Sequence, residues 1–254
     1  MAITCLNDLS INPCQLLFCC KLITVDIVEM IHGPHKPVPA RVCADWNSKA
    51  MKSNNTLTII LMRHGRSRAD DENVHEGRYD SPLTEAGCAQ VQTRAEAWRA
   101  AGYKPDLIIA STLQRTRASA EIVATLLEAP METDAGWMEF NNGPLAGLSW
   151  DEAERRYPRP AFRNPFDALH GTGESEIDFQ ARISQALQRV IQRGPGSYLV
   201  VSHGGALNVA LRAIMAASVP INNSGIWFHF GDTGFARLTY QPEKHIWVLH
   251  ELRE

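Results

Sequence analysis

"LTIILMRHGRS", Leu57 to Ser67, decides the fold. An unbroken apolar run of this length reads as a strand buried on both faces of a parallel sheet, and it stops against Arg63, His64, Gly65 and Arg66. The pattern recurs. "TLTIILM" (Thr56 to Met62), "DLIIAS" (Asp106 to Ser111) and "YLVVSH" (Tyr198 to His203) are the three strand centres, with helical stretches between them. In "TEAGCAQVQTRAEAWRAAG", Thr84 is placed to cap a helix and Gly102 to end it, while Ile183, Leu187, Val190 and Ile191 share one face of a second helix. The order is strand, helix, strand, helix, insert, helix, strand, helix, then two closing strands. It predicts an α/β fold, a three-layer αβα arrangement around a mostly parallel central sheet.

Each of the three strands ends in groups able to grip an anion: "RHGRS", "STLQRTR" and "SHGG". Singly, Arg63 reads as a surface cation, Arg115 as a helix-face charge, His203 as a satisfied core histidine, and Gly204 and Gly205 as turn residues. Three such endings at the carboxyl edge of one sheet, where open α/β sheets bind ligands, point to a site.

Composition narrows what that site holds. With 254 residues, 44% hydrophobic, 21% charged and a net charge of −3, the chain is an ordinary globular one without a basic stripe. Nucleic acid is not an expected partner, and the expected anion is small. Cys5, Cys14, Cys19, Cys20 and Cys43 precede Met51 and only Cys88 follows it, so the domain is not disulfide-stapled and a reducing, cytoplasmic setting is expected. His32, His35 and Cys43 lack the paired spacing of a zinc site, and no metal or cofactor is expected. Within residues 1–50, "QLLFCCKLITVDIVEMI" is interrupted by Lys21, Asp26 and Glu29, so neither a membrane span nor a signal peptide is expected. These residues read as an N-terminal extension outside the natural domain, an appendage or over-extended reading frame; a partner-binding or tethering segment is the functional counterpart. The domain is expected over 51–254.

"LMRHGRS", "GRYDSPLTEAG", "STLQRTRASA" and "VVSHGG", in this order and spacing, resemble the histidine phosphatase superfamily, with its phosphoglycerate-mutase-like fold. The resemblance implies a catalytic set of His64, Glu139, Arg63, Arg115 and His203. His64 would be the nucleophile that forms a phosphohistidine. Arg63 and Arg115 would keep it neutral and hold phosphoryl oxygens through planar forks, and His203 would add a further donor. Substrate contacts would come from Arg63, Asp70, Gly77, Arg115, His203 and Gly204, with Gly65 and Gly204 letting backbone approach the phosphate. Glu139, in "GWMEFNNGPLAGLSWDE", would be the proton donor, with Asp134, Asp151 and Glu152 as nearby rivals.

The departures bear on specificity. Arg66 stands where the family commonly has an acidic residue, and Asp70 where many members have an asparagine. An anionic Asp70 either turns away from a phosphate or meets a hydroxyl or cation of the substrate. Residues 140–175, with Trp150, Tyr157, Phe162, Phe166 and His170, form the expected lid insert, its aromatics lining a pocket or making a satellite core; Ser175 with Asp178 would cap the next helix. The leading function is hydrolysis of a small phosphorylated metabolite. A phosphoglycerate-type mutase, whose family members carry a longer insert, and a non-catalytic phospholigand-binding module are the alternatives.

Overall fold

A computed structural model describes residues 55–222 and 224–254. The expected extension at 1–50, with its five cysteines and the His32, His35, Cys43 set, lies outside the described residues. Six strands form one sheet in the order β3-β2-β4-β1-β5-β6. They are β1 (Leu57–Arg63), β2 (Leu107–Ala110), β3 (Met131–Thr133), β4 (Gly196–Ser202), β5 (Phe235–Gln241) and β6 (Ile246–Arg253). β1 pairs in parallel with β4, β4 with β2 and β2 with β3, whereas β5 runs antiparallel to β1 and β6 to β5. The sheet is thus mostly parallel with an antiparallel edge.

The helices are α1 (Arg68–Glu72), α2 (Glu85–Ala100), α3 (Gln114–Leu127), α4 (Trp150–Arg156), α5 (Glu176–Ile191) and α6 (Gly204–Ile214). Alternation along β1 explains the layers. Leu57, Ile59 and Leu61 pack with Phe179, Ile183 and Leu207 of α5 and α6 on one face. Ile60 and Met62 pack with Val91, Trp98 and Val123 of α2 and α3 on the other. Both sides of the strand are dry, which is why its sequence shows no polar alternation. Thr84 caps α2 by accepting from the Gly87 N–H at 3.0 Å, and Gly102 leaves it at φ 73°. Ser175 caps α5 by accepting from the Asp178 N–H at 3.1 Å.

Two expectations need correction. The sequence order lacked β3, whose three residues "MET" border β2 and are half-exposed, so no apolar run marks them. The lid is not a satellite core either, because Phe162 and Phe166 stand 60% and 71% exposed. His75 lies tilted against Trp150 with ring centroids 3.8 Å apart, Tyr157 likewise against His170 at 5.2 Å, and these four line a cleft of about 490 Å³. No helix among the described residues is long and apolar enough to cross a membrane.

Candidate active site

The chain leaves β1 at Arg63 and turns His64 into a fully buried position. Its Nδ1 lies 2.7 Å from the Gly65 carbonyl oxygen, so Nδ1 carries the proton and donates it there. That leaves a lone pair on Nε2, which accepts from Arg115 Nε at 3.1 Å. The imidazole is held well below its ordinary pKa, first by burial and then by the guanidiniums of Arg115 and Arg63. It is a neutral base whose free nitrogen faces a cation.

Arg115 stands in the first turn of α3 and is fully buried. Its Nη1 donates to the Tyr79 carbonyl at 2.8 Å and its Nη2 to the Gly77 carbonyl at 2.9 Å. The fork expected for phosphoryl oxygens is therefore already committed to backbone, and only Nε points toward His64. Gly77 has φ 49°, and a Cβ there would run into the Asn142 side-chain amide. Its role is a left-handed turn that delivers a carbonyl to Arg115.

His203 follows β4 and caps the start of α6, with its ring centroid 5.2 Å from that of His64. Its Nε2 lies 2.7 Å from Ser111 Oγ, while its Nδ1 is buried without a protein partner. If Ser111 donates to Nε2, Nδ1–H is left as a donor for a ligand. Burial, then Arg115 and His64, hold this imidazole well below its usual pKa as well.

Glu139 lies beyond β3 and is half-buried, at the wall of a cleft. Its Oε1 accepts from the Phe140 N–H at 2.8 Å and its Oε2 from the Gly205 N–H at 2.9 Å. Burial raises its pKa, against the lowering by those two donors. Its rivals stand elsewhere: Asp134 pairs with Arg189 at 2.8 Å, and Asp151 and Glu152 begin the exposed first turn of α4. Arg182 fixes the Glu139 loop, donating to the carbonyls of Gly136, Met138 and Glu139 at 3.0, 2.8 and 3.2 Å while pairing with Glu174 at 2.7 Å. Sequence reasoning missed this clamp, and also Ser202, whose Oγ donates to the Trp137 carbonyl at 2.7 Å.

The two departures are accounted for locally. Asp70 Oδ2 accepts from Ser67 N at 2.8 Å, and Oδ1 pairs with Arg63 at 3.4 Å. This carboxylate caps α1 and shares Arg63 with Asp232, which stands 3.5 Å from it. Arg66 turns outward to Asp71 at 2.7 Å. Gly65 is required by packing, since a Cβ there would stand 2.5 Å from the Gly87 carbonyl oxygen. Gly204 meets no protein atom within 4 Å of a built Cβ, whereas Gly205 abuts Glu139.

A cleft of about 490 Å³, lined by Asp70, Glu76, Glu139, Trp150 and Trp227 among others, opens onto this centre. The arrangement can present a neutral nitrogen nucleophile, anion-binding donors and a buried carboxyl group to one ligand.

The family model for the histidine phosphatase superfamily (branch 1) matches residues 59–253. A curated relative, the 2,3-bisphosphoglycerate-dependent phosphoglycerate mutase of Mesorhizobium japonicum, is 30% identical over 167 residues, which cover 62% of this chain and 81% of that protein. Among solved structures, the mycobacterial glucosyl-3-phosphoglycerate phosphatase aligns with a TM-score of 0.63 at 22% identity, over 76% of this chain and 97% of that one. A putative α-ribazole-5′-P phosphatase from Escherichia coli aligns with a TM-score of 0.64 at 18% identity, over 79% and 97%. At these identities the structural likeness concerns the fold, which is the phosphoglycerate-mutase-like one. The matched segment runs from β1 to β6 and contains every residue of the centre described above, and the chain belongs to the histidine phosphatase superfamily, branch 1.

Proposed function

We propose that the protein hydrolyses a small phosphomonoester through a phosphohistidine on His64, without a metal ion. The observation that carries this reading is the tautomer of His64: Nδ1–H is spent on the Gly65 carbonyl, and the Nε2 lone pair faces the Arg115 donor. When an ester enters, Arg115 Nε passes from Nε2 to a phosphoryl oxygen, while Tyr79 and Gly77 keep the guanidinium in place. The Nε2–P bond forms as the P–O bond to the alcohol breaks, and Glu139, whose proton-bearing form is favoured by desolvation, gives its proton to the departing alkoxide. Water then attacks phosphorus, its proton returns to the Glu139 carboxylate, the P–Nε2 bond breaks and orthophosphate leaves. Charge on the phosphoryl oxygens is met by Arg63, Arg115 and the spare His203 nitrogen, each such donor being worth about 3 kcal/mol in the transition state.

A mutase reading is favoured by the name of the curated relative. A mutase must shield its phosphohistidine from water until a second hydroxyl arrives, and the exposed aromatics of the short lid suit hydrolysis better. A phosphomonoester panel run with and without glycerate bisphosphate separates the two. Replacing His64 by Asn should abolish turnover together with the acid-labile phosphoenzyme that rapid quench would trap. Full activity in that variant would refute the mechanism, and phosphate binding without turnover in the parent would favour a phospholigand-binding module.

A further inference from the structure

Beside the reacting nitrogen stands a carboxylate that this mechanism does not use. Glu76 Oε1 accepts from Ser67 Oγ at 2.5 Å and lies 3.6 Å from Arg115 Nε, and its Oε2 is 3.9 Å from His64 Nε2. A phosphoryl group at His64 would need the Arg115 Nε–H and the space in front of Nε2. Two anions cannot share that place.

The backbone around Glu76 is fixed. His75 N donates to Leu148 O at 2.9 Å, Gly147 N donates back to His75 O at 2.9 Å, and the Gly77 carbonyl is held by Arg115. The side chain is 21% exposed, so rotation about its own bonds is its way out, into the cleft of about 490 Å³. That cleft has an acidic lining: Glu76 and the Arg63-paired Asp70 face it beside Glu139, with no lysine or arginine among the described residues that line it, and its remaining walls include Trp150 and Trp227. The leaving group of any ester bound at His64 would occupy this space.

We propose that Glu76 is an internal anion that holds the phosphoryl site in the free protein and sets the charge selectivity of the substrate. The inference rests on the reading of His64 as the phosphoryl-accepting centre and adds the class of alcohol. The site takes phosphomonoesters of neutral or amine-bearing alcohols, whose hydroxyl or ammonium groups satisfy the displaced Glu76. It disfavours esters with a second anionic group, and it releases orthophosphate readily because Glu76 returns to its place.

Glycerol 3-phosphate and 3-phosphoglycerate test this as a pair, since they differ by a neutral hydroxymethyl against a carboxylate. The parent protein should prefer the glycerol ester in kcat/KM by about tenfold or more, the size expected of one partly screened carboxylate at this range. Glu76→Gln should shrink that preference by about tenfold and lower the inhibition constant of orthophosphate by a similar factor. Glu76→Ser, shorter and uncharged, should move both quantities in the same direction. An unchanged preference, or weaker orthophosphate binding in both variants, would overturn the role of Glu76 while leaving the phosphatase reading intact. A parent protein that neither hydrolyses the two esters nor binds orthophosphate would overturn the reading of the His64 centre, and the proposal with it.

Discussion

Gly205→Ala isolates the placement of Glu139 from its chemistry. A Cβ on Gly205 would stand 3.0 Å from Glu139 Cδ and 3.1 Å from Oε2, and nearer still to Oε1. Ordinary carbon contacts lie at about 3.5–4.0 Å, so the carboxyl group must retreat by about 0.5–1 Å. The 2.9 Å bond from the Gly205 N–H to Oε2 weakens in the same movement. Misplacing a reacting group by about 1 Å costs about a hundredfold in rate, or about 2.7 kcal/mol of barrier. The loss should fall on alkyl phosphates, whose alkoxide needs a proton, and largely spare the phosphoenzyme-forming burst with p-nitrophenyl phosphate. Alanine is itself the better helix former, so a cooperative thermal transition should persist in α6 and the rest of the fold. Rapid-quench measurement of phosphohistidine formation on both substrates is the assay, repeated in a Glu139→Gln background. If the glycine contact acts through Glu139, the second substitution adds little once the first is present. Equal losses on both leaving groups, or full additivity in the double variant, would refute the reasoning.

Glu139→Gln should slow the burst with alkyl phosphates by about 10²–10⁴-fold, leave that with p-nitrophenyl phosphate nearly intact, and slow phosphoenzyme breakdown for both; a uniform loss in the first step would assign the proton elsewhere. Stability should depend on pH through the two buried histidines. Their folded-state pKa values lie below the ordinary 6.5, so the unfolded chain binds more protons, and stability is present above that value and lost as pH falls below it. Each contributes up to about 1.4 kcal/mol per pH unit, so urea unfolding of His203→Asn between about pH 6 and 5 should show a slope flatter by about that amount, and parallel curves would refute it. A chain beginning at Met51 should unfold and hydrolyse like the full chain, because every element described and every residue of the centre lies beyond it; a large loss would place the domain boundary upstream.

What the sequence displayed was whatever one element carries alone. "LTIILM" announces a strand buried on both faces, and the polar ends of β1, β2 and β4 announce the edge where ligands bind, because adjacency along the chain is adjacency in space there. Thr84 and Ser175 were legible as caps for the same reason: a cap and its N–H are three residues apart. Contacts between distant segments left no such mark. Arg182 reaches Glu139 across 43 positions, and Gly65 is a glycine because α2 brings Gly87 against it. Glu76 carries no signal in the sequence, since only the fold turns it toward Ser67 and Arg115. The anchoring of Arg115 left no mark either, its Nη atoms donating to carbonyls 36 and 38 positions away.

One physical cause prepares both reacting groups. Removing His64 from water disfavours its cationic form, and removing Glu139 from water disfavours its anionic form, so the same burial leaves the first without a proton and helps the second keep one. Phosphoryl transfer needs that combination: a nitrogen with a free lone pair and a carboxyl group with a proton to give. The charged neighbours then act unequally. Arg115 and Arg63 add to the effect of burial at His64, whereas at Glu139 the Phe140 and Gly205 N–H groups and Arg115 oppose it. The opposition is useful, because the carboxyl group must also exist as a carboxylate to take the proton of the attacking water in the second half of the cycle. The Phe140 and Gly205 N–H groups favour that carboxylate form. Arg182, gripping the Gly136, Met138 and Glu139 carbonyls, holds the Glu139–Phe140 peptide that carries the first of those donors.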